Sequence, residues 1–354
     1  MGSISNHKNH HDTNLMDKSD QVVVLMVPFQ AQGHLNQLLQ LSCLVSSYGL
    51  PVHYVGSAIH NRQAKARANG LNANDVAKIH FHDIPTPPFD SPPPNPNSSN
   101  KFPEQLQPAW EAMLNLRKPI ACYLQETSKN ARRVIVVHDP MMALAVQDVN
   151  TIPNAESYAF NCISAFSQVS LVWESLGKQV PIEHQKLPIF MECIPEKLLE
   201  FVALQSEPSS YRAGDLYNTC RLIEAPYLDL LEKEEINGNR KSWAIGPILP
   251  AKLSSERQHK CLEWLDKHGP KSVIYVSFGT TTSLSDKEIK ELASGLEQSK
   301  VKFIWNAVER LMVSEEGDEI RKRAEELAAT VRQATQEGGA SRLELDSFID
   351  HITR

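Results

Sequence analysis

The stretch Val22–Leu41, "VVVLMVPFQAQGHLNQLLQL", decides the fold. Val22–Val27 is an unbroken aliphatic run, the pattern of a parallel strand covered on both faces. Even extended to Phe29 it is far too short to cross a membrane. Beyond Pro28 the apolar residues from Leu35 to Tyr48 recur at helical spacing, so the segment reads as strand, turn and helix. The turn holds Gly33 and His34 at the carboxyl edge of the strand, where open α/β sheets collect their ligand-binding and catalytic groups.

Further along, β-branched runs predict strands over Val52–Gly56, Ile79–Ile84, Val134–Val137 and Ser157–Phe160. Helices are predicted over Phe102–Thr127 and Ser164–Leu176. Alternation of this kind specifies a doubly wound parallel sheet with crossover helices. A break at "SWAIGPILP" near Lys241 suggests an interdomain linker, giving an N-terminal unit over residues 21–240 and a C-terminal unit over 241–354. In the second unit, Cys261–His268 reads as a helix and Ser272–Ser277 as a strand. Ser285–Ser299 reads as a helix opened by Ser285 with Glu288 three residues on, and Val301–Trp305 as a second strand. No further strand is legible after Trp305. The mixed-sign run Glu315–Glu326 reads as a solvated helix face. Two strands cannot build a complete doubly wound layer, so this unit reads as incomplete.

Composition narrows the function classes. A chain of 354 residues accommodates about two domains, and 36 basic against 42 acidic residues give a net charge of −6. That balance disfavours nucleic acid as a partner. No membrane span is legible, and residues 1–20 read as a disordered polar lead-in without the apolar core of a secretory signal. Six cysteines without paired spacing suggest reduced, buried thiols and a cytoplasmic setting. The tail histidines His7, His10 and His11 lack partners at ligand spacing, so no metal is assigned.

His34 is the candidate general base, because an imidazole near its ordinary pKa can accept a hydroxyl proton at neutral pH. The alternative is that it only opens the helix. The fourth predicted strand ends in "VIVVHDPMM", which puts Asp139 at a carboxyl end within reach of His34. Asp139 could equally cap the next helical turn, and His138 is its rival. Strand alternation sends these two neighbours in opposite directions. The proline-rich segment Pro85–Pro96 could wall an acceptor pocket or serve only as a stiff surface loop. In "SFGTTTSLSD", Ser277, Gly279 and Thr280 could hold a phosphate. The chain carries neither a G-x-x-x-x-G-K-[ST] loop nor a G-x-G-x-x-G fingerprint, and no G-x-S-x-G elbow.

Taken together, "VPFQAQGHLNQLLQLS", "VIVVHDPMMA", "YNTCRLIE", "WAIGPILP", the stretch "CLEWLDKHGPKSVIYVSFGTTTSLSDKEIKELASGLEQSKVKFIW" and the C-terminal tail resemble a plant family-1 UDP-glycosyltransferase of the GT-B fold, in the zeatin O-glucosyltransferase branch. The resemblance implies inverting, metal-independent transfer of glucose from UDP-glucose to a hydroxylated, cytokinin-like small molecule, with no cofactor. It implies His34 as the base, Asp139 as its carboxylate partner, and Gly33, Ser277, Gly279 and Thr280 on the donor side. Members of the family carry a sugar-nucleotide signature with "W-A-P-Q" and "H-C-G-W-N-S" elements after the strand matching Val301–Trp305. Here Trp305 runs directly into "NAVERLM", so on the order of a hundred residues are missing. The loss implies weakened donor binding. It raises a second reading, an acceptor-binding protein without transfer activity, and a third, the product of a shortened transcript.

Overall fold

The computed structural model describes residues 21–68, 71–90, 95, 107–177, 194, 196–249, 260–277, 284–304 and 315–354. The lead-in, the end of the proline-rich segment and the Trp305/Asn306 junction lie outside the described residues.

Seven parallel strands form the main sheet in the order β3-β2-β1-β4-β5-β6-β7. They are β1 Val22–Val27, β2 Val52–Ser57, β3 His80–Ile84, β4 Arg133–His138, β5 Ala155–Asn161, β6 Gly214–Tyr217 and β7 Lys241–Ala244. All five strands expected in the first unit are present. The short β6 escaped the sequence reading because "GDLY" is too brief and too polar to register as a strand.

β1 shows why the aliphatic run was decisive. Val22, Val24 and Met26 enter the core on one face, against Leu35, Leu38 and Leu39 of helix α1 (Gln32–Ser46). Val23, Leu25 and Val27 enter the core on the other, beside Ile120 and Leu124 of the helix Arg117–Ser128. Both faces of a central parallel strand are covered, which alternating patterning could not satisfy.

The expected boundary at residue 240/241 is corrected on two counts. Lys241–Ala244 pairs with β6 and completes the first sheet. The terminal helix Ala340–Thr353 also packs on that sheet, with Leu345, Phe348, Ile349 and Ile352 in the same core cluster as β1 and α1. Its amphipathic pattern showed only that one face must be buried, not against which sheet. Arg132 donates to the carbonyls of Thr353 and Arg354, and Arg133 to those of His351 and Ile352, so two guanidinium groups satisfy the helix's last turn.

The second sheet has two parallel strands, β8 Val273–Tyr275 and β9 Lys302–Ile304. Between them lies the helix Asp286–Ser299, whose expected capping box is present, with Ser285 and Glu288 bonded reciprocally. The sheet is poorly covered: Tyr275 is 72% exposed, and Phe303 is exposed as well. Among the described residues this sheet lacks the layers that normally enclose a parallel strand. Among the described residues no strand follows Ile304, and of the mixed charge run only Ala324, Glu325 and Glu326 have described side chains, all exposed on the helix Glu315–Thr335.

One buried carboxylate holds a crossover helix in place. Glu224 accepts N–H bonds from Ala165 and Phe166 at the start of the helix Ala165–Ser175, at 3.0 and 3.1 Å. A carboxylate there answers both the unpaired amides and the helix dipole. Glu224→Ala is expected to lower unfolding free energy by about 1–3 kcal/mol, read as a fall in the urea midpoint at unchanged slope.

Candidate active site

The site is assembled from the carboxyl ends of three adjacent strands. The crossovers change direction between β1 and β4, the switch point at which the segments leaving adjacent strands diverge and open a crevice, and β5 lies next to it. From β1 the chain passes through Phe29 to Ala31, the N-cap of α1, and His34 is the helix's third residue. The buried stripe Leu35, Leu38, Leu39, Ser42 and Val45 fixes the rotation of α1 against the sheet. That rotation leaves the His34 side chain 27% exposed at the crevice.

Asp139 follows β4. Its N–H donates to the carbonyl of Val27 at 3.1 Å, extending the β1–β4 ladder by one rung and locking it opposite the start of α1. Its carboxylate is nearly enclosed, and the two oxygens divide their work. Oδ1 accepts the Met141 N–H at 2.9 Å, capping the short 3₁₀ turn Pro140–Met142, while Oδ2 lies 2.6 Å from His34 Nδ1. The two alternatives raised for Asp139, helix cap or partner of His34, are thus both realised in geometry.

The electrostatics of the pair oppose one another. Burial lowers the His34 pKa, but the Asp139 charge and its hydrogen bond together outweigh that effect and leave it raised above the usual histidine range. With Nδ1–H donated to Asp139, the tautomer is set and Nε2 carries the basic lone pair. His138 is different. It is buried, its Nδ1 sits 2.8 Å from the Asp139 carbonyl, and desolvation pushes its pKa down to about 4. It belongs to the core, and the alternation argument separates the two neighbours as the fold does.

Cys162, immediately after β5, completes the cluster. His34, Asp139 and Cys162 place one nitrogen, one oxygen and one sulfur within 4.8 Å of one another. Burial first, then the neighbouring Asp139 carboxylate that the thiol meets, raise the Cys162 pKa well above the ordinary thiol value. This residue was read only as one unpaired cysteine among six. The signal that could have found it is positional, since it follows the third of three adjacent strand ends. Cys43, Cys122, Cys162 and Cys220 are free, but of these four only Cys220 is buried as expected; Cys43 and Cys162 are half-buried and Cys122 is exposed.

A buried aromatic cluster backs the pair. The Phe29 ring meets His34 edge-on at 5.1 Å and packs against Trp110 and Phe201 at 6.2 and 6.4 Å. Past the carboxyl end of β3, Phe89 in the described part of the proline-rich segment stacks on His60. None of these aromatics was distinguishable in sequence from ordinary core residues.

The donor-side candidates are less completely placed. Gly33 is exposed in the first turn of α1, and a Cβ built on it would meet nothing within 4 Å. Open space lets a ligand approach the backbone there without a steric need for glycine in the fold itself. Ser277 follows β8 and is exposed. Gly279 and Thr280 lie outside the described residues.

A doubly wound sheet with an imidazole–carboxylate pair at its switch point, joined to a second βαβ unit, defines a GT-B-like α/β protein with two Rossmann-like units, the second incomplete. Residues 20–250 match the family model described as glycosyltransferase, N-terminal domain. The chain is 47% identical to zeatin O-glucosyltransferase of Phaseolus lunatus over 82% of its own length and 64% of the relative's. It is 35% identical to zeatin O-xylosyltransferase of Phaseolus vulgaris, an alignment taking in 96% of this chain and 100% of the relative. The fold is shared with Glycyrrhiza uralensis UGT73P12 complexed with glycyrrhetinic acid 3-O-monoglucuronide, at a TM-score of 0.70 and 15% identity, over 94% of this chain and 96% of the other. It is also shared with Medicago truncatula UGT71G1 complexed with UDP-glucose, at a TM-score of 0.57 and 20% identity, over 87% and 71%. The chain belongs to the plant family-1 UDP-glycosyltransferases, in the zeatin O-glycosyltransferase branch.

The chain thus spans about two thirds of the length of the Phaseolus lunatus relative. The Phaseolus vulgaris alignment runs over 460 positions against a chain of 354 residues. On the order of a hundred positions of that relative therefore have no counterpart here, in keeping with a second sheet that among the described residues has two strands. Among the described residues no helix is long and apolar enough to cross a membrane.

Proposed function

We propose that the chain is an O-glucosyltransferase of the zeatin branch that keeps its acceptor half and has a shortened donor half. The acceptor is a hydroxylated, cytokinin-like small molecule held in the crevice beside Phe29, Trp110 and Phe201, and the donor is UDP-glucose. The observation that carries this reading is the 2.6 Å contact between His34 Nδ1 and Asp139 Oδ2 at the switch point. It leaves Nε2 to take the acceptor's hydroxyl proton while Asp139 steadies the imidazolium that forms. The deprotonated oxygen then attacks the anomeric carbon from the face opposite UDP, the carbon–oxygen bond to UDP breaks, and the configuration inverts. Gly33, with open space over its Cα, and the Ser277–Thr280 stretch are assigned to the donor side. The reaction needs no metal, because amides at a helix start can meet the diphosphate's charge.

The poorly covered β8–β9 sheet favours a second reading, in which the chain binds acceptor without transferring sugar. Calorimetric titration with trans-zeatin and with UDP-glucose, followed by chromatography for a glucoside, separates the two. Zeatin is expected to bind. Donor affinity is expected to be lower by orders of magnitude than in a full-length relative, because several polar anchors worth about 1–3 kcal/mol each are gone. Slow glucoside formation supports transfer, zeatin binding without glucoside leaves the binding protein, and absence of zeatin binding by folded protein removes both.

A further inference from the structure

We infer that His34, Asp139 and Cys162 form a three-point site for a thiophilic divalent cation of the zinc class, and that such a cation excludes His34 from acting as a base. The donor atoms lie within 4.8 Å of one another and comprise one imidazole nitrogen, one carboxylate oxygen and one thiol sulfur. That set suits zinc and its neighbours rather than calcium or magnesium, which take all-oxygen shells.

The geometry is close to what a cation needs. Tetrahedral ligands at zinc's usual bond lengths stand about 3.3–3.8 Å apart. The His34–Asp139 contact at 2.6 Å must therefore open by about 1 Å, while the sulfur already lies within 4.8 Å of both other donor atoms. His34 has room to do so, since its side chain is 27% exposed whereas Asp139 is buried. Asp139 Oδ1 stays tied to the Met141 N–H while Oδ2 is redirected, the outer-shell support that ligating carboxylates ordinarily have. Each ligand follows a different strand of one parallel ladder, so the backbone under the site is already held. The open fourth position faces the exposed side of His34, where water reaches it.

Charge balance favours occupancy. The cation displaces the Cys162 thiol proton to solvent, while the His34 proton shared with Asp139 stays on the ring and shifts from Nδ1 to Nε2. A thiolate and a carboxylate then neutralise the dication in a largely enclosed place. Ligation through Nδ1 moves the imidazole's remaining proton to Nε2. The nitrogen that would accept a hydroxyl proton becomes a donor, so cation and catalytic base cannot coexist.

Co2+ titration of the purified full chain tests this without any activity assay, because cobalt reports spectroscopically on a site where zinc is silent. One equivalent is expected to give intense tetrahedral d–d bands and a near-ultraviolet thiolate-to-cobalt band, both bleached by Zn2+. Cys162→Ser is expected to abolish the thiolate band. His34→Gln is expected to keep it while weakening Co2+ affinity at least ~10-fold, the least that loss of a metal-site contact costs. The tail histidines can bind cobalt but cannot produce a thiolate band. A folded wild-type chain without the band, a band surviving Cys162→Ser, or an affinity unmoved by His34→Gln would each overturn the proposal. Should Cys162→Ser fail to fold, the His34→Gln comparison still decides. The readout is binding alone, so its failure is distinct from any failure of glucosyl transfer.

Discussion

His34→Ala is expected to reduce glucoside formation by ~10²–10⁴-fold while leaving zeatin binding and the circular dichroism spectrum nearly unchanged. The size follows from removing the group that takes the acceptor's proton. The mildness toward the fold follows from the side chain's place in the first turn of α1, partly exposed and outside the buried stripe. The pH profile supplies an independent check. Because Asp139 holds the His34 pKa above its ordinary value, transfer should rise with pH through that raised value, as the imidazole loses its proton and becomes a base. Asp139→Asn removes the charge but keeps the burial, whose effect is to lower the pKa, so the acid limb should move to lower pH and the maximal rate should fall. A variant with an unchanged rate at His34, or an unmoved acid limb at Asp139, would remove the pair from the mechanism.

Phe348→Ala is expected to cost about 3–5 kcal/mol of stability, the usual range for deleting a buried phenylalanine. The residue is fully enclosed and meets Tyr158 and Trp243 edge-on, each at 5.2 Å. Around it, Ser341 donates to the carbonyl of Gly246 at 2.6 Å, Glu344 joins the Arg221 guanidinium to the Ala244 N–H, and the Trp243 indole donates to Ser347. The terminal helix is therefore part of the first unit's core, although more than 80 residues of sequence separate it from β7. Urea unfolding followed by tryptophan fluorescence should show the loss in the transition that reports Trp243. Loss confined to a separate transition of the second unit would contradict this placement.

Legibility in sequence followed the range of the interaction. The five principal strands of the first unit and the capping box at Ser285 were read from local pattern, because a strand buried on both faces and a reciprocal cap depend on residues a few positions apart. The candidates His34 and Asp139 were legible for a related reason. Each stands just past the carboxyl end of a recognisable strand, and in this topology those ends share one crevice. Their separation of 105 positions hid only the distance. His138 illustrates the limit of pattern alone, since neutral burial and exposure to the crevice differ by one step of strand alternation and by nothing in composition.

What the sequence determined by itself was the periodicity of each element, hence an α/β sheet with its carboxyl-edge turns, and the family to which the motifs belong. The tertiary structure alone decided which distant pieces meet. It placed Lys241–Ala244 and the terminal helix on the first sheet, brought Cys162 beside Asp139, and packed Trp110 and Phe201 around Phe29 in the core behind His34. The reason is physical. Local propensity and patterning specify that a face must be buried, but the choice of partner is made by the closing of the whole core, where contacts between segments hundreds of residues apart are satisfied together.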